Sequence, residues 1–199
     1  MKTILLELKS SLLLTLVFAV LLCGVYPLAV WAGAQTLFPD KANGSLVTDH
    51  DGTVRGSLLL AQNFSNEKYF HPRPSAAGTG YDASSSSGTN LGPTSQKLAD
   101  SIKANVSAYR IANGLDAGIS VPADAVTSSG SGLDPHISIA NANLQAARVA
   151  RARSLPLTQV TALVTKITRD RDWGIFGEPT LNVLELNLSL DEESKPASR

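Results

Sequence analysis

Residues 12–34 include no charged side chain, and that run limits what the chain can fold into more than any other feature. About 20 helical residues rising 1.5 Å each match the roughly 30 Å hydrocarbon core of a bilayer. The pattern predicts one transmembrane helix over 12–34, a cytoplasmic segment over 1–11 and an extracytoplasmic domain over 35–199. A cleavable signal peptide competes with this reading, because Lys2 and Lys9 can supply its basic segment and Ala32-Gly33-Ala34 resembles a cleavage site. The run is longer than the about 7 to 15 apolar residues of such peptides, and it carries Pro27 and then Trp31, a residue suited to the membrane interface. A retained anchor fits better. Lys2 and Lys9 before the span, against Lys41 and Arg55 after it, place the N-terminus in the cytoplasm by the positive-inside rule.

Within the span, Thr15, Ala19 and Cys23 recur every four residues and form a stripe of small side chains. A second helix can approach such a stripe closely, which makes these three residues candidate partner contacts; an ordinary lipid-facing stripe reads the same way. Cys23 is the only cysteine, so no intramolecular disulfide or cysteine-based zinc site can form. Seventeen Lys and Arg balance seventeen Asp and Glu, leaving neither the basic footprint of a nucleic-acid binder nor a polybasic lipid patch.

Beyond the span, β-prone runs at 45–48 and 53–60 flank Asp49-His50-Asp51-Gly52, and this turn chemistry predicts a hairpin with His50 as a solvated turn residue. Residues 75–95 are rich in Ser, Gly, Ala and Thr and have no apolar period, so they read as a long loop, either a linker or a binding surface. Tyr69, Phe70 and Arg73 beside it are of the types enriched in interfaces and are candidate partner contacts. Leu98, Ile102, Val106 and Tyr109 follow helical spacing after a cap at Thr94, and Asn113-Gly114 ends that helix. A second helix is expected from Ser138 and a third from Thr158, separated by Pro156. Leu184, Leu186, Leu188 and Leu190 alternate with polar residues, the period of a half-buried strand. The expected fold class is therefore α+β, as a single domain behind the anchor, with a frayed polar tail over 191–199.

The chain contains no G-x-x-x-x-G-K-[ST] phosphate loop, no Asp-Lys-Thr-Gly phosphorylation segment and no Thr-Val-Gly-Tyr-Gly filter. His50, His71 and His136 lack metal-ligand spacing. The segment 127–136 holds Ser131, Asp134 and His136, the residue types of a serine hydrolase, but no G-x-S-x-G elbow brings them together. It reads better as a Gly-rich junction before a helix. Arg148, Arg151 and Arg153 offer either a phosphate-binding group or a solvated helix face, and Glu178 in Gly177-Glu178-Pro179 reads as a turn residue. A non-enzymatic subunit, an anchored extracytoplasmic binding module and a serine hydrolase remain as function classes at this point.

Further blocks decide among them. Phe38-Pro39…Gly44-Ser45-Leu46, Gly56-Ser57…Gln62…Phe64, Tyr69-Phe70…Arg73-Pro74-Ser75-Ala76, Tyr81-Asp82, Asn90-Leu91-Gly92-Pro93-Thr94, Asp134-Pro135-His136, Gln145 with Arg148-Val149-Ala150, Gly177-Glu178-Pro179 and Asn182-Val183-Leu184…Leu186-Asn187 follow one another in order. This collinear set resembles the C subunit of the Kdp potassium-transporting ATPase over almost the whole chain. Departures are few: Ile139 stands where the family often has Pro, and Thr180 where it often has Arg. The resemblance implies an accessory, non-catalytic subunit in the bacterial inner membrane. Its expected partners are a channel-like potassium-binding subunit and a P-type ATP-hydrolysing subunit. It also implies a catalytic chaperone that raises the ATP affinity of the hydrolysing subunit, which would set Gln62, Arg148 or Arg151 near nucleotide. ATP is then a cofactor of the partner, and an external domain could act on it only through coupling between subunits.

Overall fold

The computed structural model describes residues 2–49 and 51–194, in two compact units, 1–46 and 47–199. The first unit is built on one unbroken helical rod: α1 (Lys2–Val20), a wide π turn (Leu21–Val25) and α2 (Tyr26–Leu37). The rod thus extends on both sides of 12–34. Its wide turn has a local cause. Pro27 lacks an N–H and its ring crowds the carbonyl four residues back, so the chain admits an extra residue and the Tyr26 N–H bonds the Leu21 carbonyl instead. From Thr3 to Leu37 the helix has a mean hydropathy of 2.5 in its most apolar window, none of which is buried in the protein. A short turn of helix, α3 (Pro39–Ala42), follows.

Sequence and structure agree on most of the second unit. β1 (Leu46–Thr48) and β2 (Val54–Ser57) form the expected hairpin, closed by Asp49 N–H to the Thr53 carbonyl at 2.9 Å; His50 lies outside the described residues. α4 (Gln96–Asn113) is capped by Ser95 rather than by Thr94 and ends at Gly114 in the left-handed conformation, as the sequence predicts. Ser138 caps α5 (Ile139–Arg153) by accepting from the Asn141 N–H, and Pro156 opens α6 (Leu157–Ile167). Val160, Leu163 and Val164 of α6 are buried at i, i+3 and i+4, each contributing about 1.5–3 kcal/mol of apolar transfer.

Two expectations for the C-terminal segment are corrected. The leucines from 184 to 190 form no strand; they lie in helix α7 (Val183–Glu193). Val183, Leu184, Leu186, Asn187 and Leu190 are its buried face, a helical set that the alternation of leucines masks. Asn182 fixes the start, since its side-chain oxygen accepts from the N–H groups of both Leu184 and Glu185. The same helix carries residues 191–193, which the polar tail was expected to leave frayed; residues 195–199 lie outside the described residues. The strand sits just upstream, as β4 (Thr180–Asn182), pairing antiparallel with β3 (His136–Ser138) so that Ile137 faces Leu181. Around this ladder α5, α6 and α7 enclose the core of Ile137, Val149, Val160, Leu163, Leu181, Leu186 and Leu190.

The loop over 75–95 is not a slack linker. Ser75 donates to the Gly132 carbonyl at 2.6 Å, Ser87 N–H to the Ser131 carbonyl at 2.9 Å, and Tyr81 O–H to the Arg73 carbonyl at 2.9 Å. Gly132 has φ +68°, and a Cβ there would lie 2.5 Å from the Ser87 carbonyl oxygen and 2.7 Å from the Ala77 nitrogen. Only glycine fits between the two crossing segments.

Candidate functional site

The polar chemistry of the second unit converges on a strap, residues 66–73, that crosses α5 and α7. Two side-chain amides hold consecutive strap residues as a β-partner would. Asn187 accepts from the Phe70 N–H at 2.8 Å and donates to the Phe70 carbonyl at 3.0 Å. Gln145 accepts from the His71 N–H at 2.7 Å and donates to the His71 carbonyl at 3.1 Å. Both amides are 1% exposed, so these bonds satisfy backbone groups that water cannot reach.

Arg148, on the same face of α5 as Gln145, completes the clamp. Its guanidinium donates to Asn113 Oδ1 (2.9 Å), to Gln145 Oε1 (2.8 Å), to the Tyr69 carbonyl (2.9 Å) and to the Glu67 carbonyl. The residue is 5% exposed, and no carboxylate forms an ion pair with it among the described residues. Burial lowers its pKa from the usual range. A second polar knot lies beside it: Asp124 accepts from the Ser138 N–H (2.8 Å) and O–H (2.9 Å) and from Asn141 Nδ2 (3.0 Å), and Tyr109 O–H donates to Asn141 Oδ1 at 2.7 Å. Desolvation pushes the Tyr109 phenol far above its normal value. Both knots bind the fold to itself.

The residues singled out from sequence therefore separate. Phe70 is wholly buried in the core, a correction of the expectation that it faces a partner: its own backbone pairs with Asn187 and that of the next residue, His71, with Gln145, which holds the strap with the Phe70 ring in the core. Arg148 commits all three of its guanidinium nitrogens to bonds within the protein and is 5% exposed, so it presents little to a phosphate. Arg151, one turn away, is exposed and has no side-chain partner among the described residues. Tyr69 is half-buried, its ring 5.3 Å from that of Phe64 and 4.9 Å from the Arg153 guanidinium, and its O–H reaches Asp191 Oδ2 at 3.0 Å. Tyr69 and Gln62 share the wall of an open cavity of about 370 Å³ with Asp49, Arg55, Leu188 and Glu192. Gln62 donates there to the Arg55 carbonyl at 3.3 Å. Thr15, Ala19 and Cys23 lie exposed on the helical rod; the Thr15 hydroxyl bonds its own helix at the Ser11 carbonyl, 2.8 Å away.

Arg73 pairs with Asp134 at 3.0 Å, and Asp134 also accepts from the His136 N–H at 3.0 Å and lies 3.3 Å from His136 Nδ1. The His136 bond, with the Arg73 guanidinium, holds the Asp134 carboxyl below its ordinary pKa. Ser131 turns its hydroxyl to the Leu133 N–H and to Ser129, and no serine hydroxyl bonds His136 among the described residues. The hydrolase residue types are thus neighbours without the nucleophile–base contact that chemistry requires.

His71 carries a pH prediction. Burial, and then the Arg148 charge, depress its pKa, whereas in the unfolded chain it titrates near about 6.5. Below that pH the unfolded chain takes up a proton that the folded domain resists, so the contribution is complete above about pH 6.5 and is lost as acidification approaches the depressed folded value. Thermal unfolding should occur at lower temperature at about pH 5.5 than at about pH 7.5, with a smaller difference in His71→Gln. An equal pH slope in both proteins would exclude His71 as the cause.

Comparison with known proteins agrees with the collinear blocks. The family model described as KdpC, the K+-transporting ATPase c chain, matches residues 8–192. A "Potassium-transporting ATPase KdpC subunit" of Rhodospirillum rubrum is 59% identical over 86% of this chain and 89% of its own length. Proteins of the same description are 53% identical in Mycobacterium bovis, over 93% of this chain and 97% of theirs, and 50% identical in Caulobacter vibrioides, over 96% and 95%. With a family match from the apolar helix to the last helix and relatives at this identity across nearly full length, the chain belongs to the KdpC family of K+-transporting ATPase subunits.

Proposed function

We propose that this chain is a non-catalytic, single-pass subunit of an ATP-driven, high-affinity potassium uptake complex of the bacterial inner membrane. Its N-terminus is cytoplasmic and its folded domain lies outside. Its partners are the channel-like potassium-binding subunit and the P-type ATP-hydrolysing subunit. The observation that carries this reading is the apolar rod, 35 residues from Thr3 to Leu37 with no part of its most apolar window buried, in a chain that matches the KdpC model from residue 8 to residue 192. Such a surface is stable only in lipid or against other membrane helices. The lysines at 2 and 9 support the orientation.

Its action on ATP is indirect. With the domain outside, nucleotide affinity of the hydrolysing subunit rises through a shared conformational equilibrium, an effect of about 5–150-fold for ordinary coupling energies. The internal bonds of Gln145 and Arg148 support a structural role for both, which leaves the half-buried Gln62 and the exposed Arg151 as the candidates for any direct contact. An extracytoplasmic binding module unrelated to transport is the competing class. Affinity capture of the tagged chain from detergent-solubilised membranes decides between them: both transport subunits should co-purify, and Ala19→Leu, which keeps the rod apolar but fills the small stripe, should lower their yield without changing insertion. Capture of neither subunit by the unaltered chain would contradict the proposal.

A further inference from the structure

Between α6 and β4 the chain makes an excursion that neither the core nor the strap uses. Its base is pinned by reciprocal backbone bonds between Arg169 and Thr180 at 2.9 and 3.1 Å and by the Arg169–Glu185 ion pair at 2.6 Å. Midway, Arg171 pairs with Glu178 at 2.7 Å. At the tip Asp172 and Phe176 exchange backbone bonds at 2.9 and 3.0 Å around Trp173-Gly174-Ile175, with Trp173 held at φ +54°, a left-handed conformation that a bulky residue adopts only when its surroundings impose it. The Trp173 and Phe176 rings meet edge to face, 6.0 Å apart. The tip is therefore a preformed turn that exposes its three apolar side chains: Trp173 is 89% exposed, Ile175 73% and Phe176 61%.

The Trp173 and Phe176 side chains each present on the order of 150–250 Å² when fully uncovered, and rigid aromatic anchors concentrate binding energy at protein interfaces. Charge selects the occupant. Both arginines of the excursion are already paired, while Asp170 and Asp172, flanking the apolar tip, make no side-chain bond among the described residues. An uncompensated acidic collar is repelled by an anionic lipid surface and disfavours sinking the tip into headgroups. It matches a protein pocket with an apolar floor and a cationic rim.

We infer that the Trp173–Phe176 turn is a docking knob that inserts into an apolar, basic-rimmed pocket on the extracytoplasmic face of a partner subunit in the transport complex. This rests on the proposed membership of that complex. The knob adds a specific anchor outside the membrane, independent of the small-residue stripe on the rod, and its preformed turn spares the ordering cost of a flexible loop.

The test uses the full chain titrated into solubilised transport complex that lacks it. Trp173→Ala combined with Phe176→Ala should weaken binding at least about 30-fold, the loss expected for truncating a hot spot, with the far-ultraviolet circular dichroism spectrum unchanged. Asp170→Lys with Asp172→Lys should also weaken it, by reversing the charge that meets the rim. Unaltered affinity in the alanine variant would overturn the knob. So would tighter association of the lysine variant together with a blue-shifted Trp173 emission, in a Trp31→Phe background, in phosphatidylglycerol–phosphatidylethanolamine nanodiscs without partners, since the tip would then be a lipid anchor. If the unaltered chain fails to bind the complex at all, membership itself fails and the knob with it, an outcome distinct from equal binding by both proteins.

Discussion

Replacing Arg148 by Met should destabilise the folded domain by about 3–5 kcal/mol, since it leaves several buried acceptors without a donor at about 1–3 kcal/mol each. Met keeps much of the aliphatic stem, so the loss comes from polar groups rather than from a cavity. The Asn113 and Gln145 side-chain oxygens and the Tyr69 and Glu67 carbonyls would all lose a charge-assisted donor. Since two of these acceptors are on the strap, its crossing of α5 should loosen as well. For a domain of this size the shift in unfolding temperature is about 2–4 °C per kcal/mol, hence on the order of 10 °C. Arg148→Lys should recover little of it, because an ammonium cannot reproduce the planar fork. Arg151→Met, exposed and without a side-chain partner among the described residues, should stay within about 0.5 kcal/mol of the parent. Circular dichroism melts of the full-length proteins in one detergent measure the contrast. Equal melting of the Arg148 and Arg151 variants would mean that the clamp is not what holds the strap.

The same pair shows where sequence reasoning stops. Arg148 and Arg151 lie three residues apart on one helix and are chemically identical, and nothing local distinguishes them. Their fates are set by Glu67, Tyr69 and Asn113, which are far away along the chain and reach Arg148 only after the fold exists. Phe70 was unreadable for the same reason: an aromatic beside a Gly- and Ser-rich loop serves an interface or a core equally well, and the pairing of its backbone with Asn187 decides for the core.

Where structure is written in nearest neighbours, the reading was direct. The uncharged run gave the rod, Ser138 and Pro156 marked the starts of α5 and α6, and Gly114 marked the end of α4. Helix α7 failed that test although its signal was present. Its leucines alternate, but Val183, Leu186, Asn187 and Leu190 also follow a helical period, and Asn182 stands ready as a cap. Counting Asn187 as polar, and so as outward-facing, hid the helix; in the folded domain it is buried because its amide has backbone to bind. Trp173, Ile175 and Phe176 were not singled out from sequence: set among glycines and charged residues they follow neither a helical nor a strand period, and only the turn closed between Asp172 and Phe176 shows them exposed together.

The largest effect expected of any change is on transport. The chain belongs to a family of K+-transporting ATPase subunits, and on the proposed role it acts through the complex it joins, so its removal should act on uptake as a whole rather than on one kinetic constant. On the proposed topology the rod and the domain supply different contacts, one in the membrane and one outside it, so neither alone should suffice. Potassium uptake from micromolar external potassium, measured in cells deleted for this chain and complemented with the full chain, with residues 1–46 or with an exported domain, tests the account most directly. Uptake should vanish on deletion and return only with the full chain; undiminished high-affinity uptake in the deleted cells would contradict it.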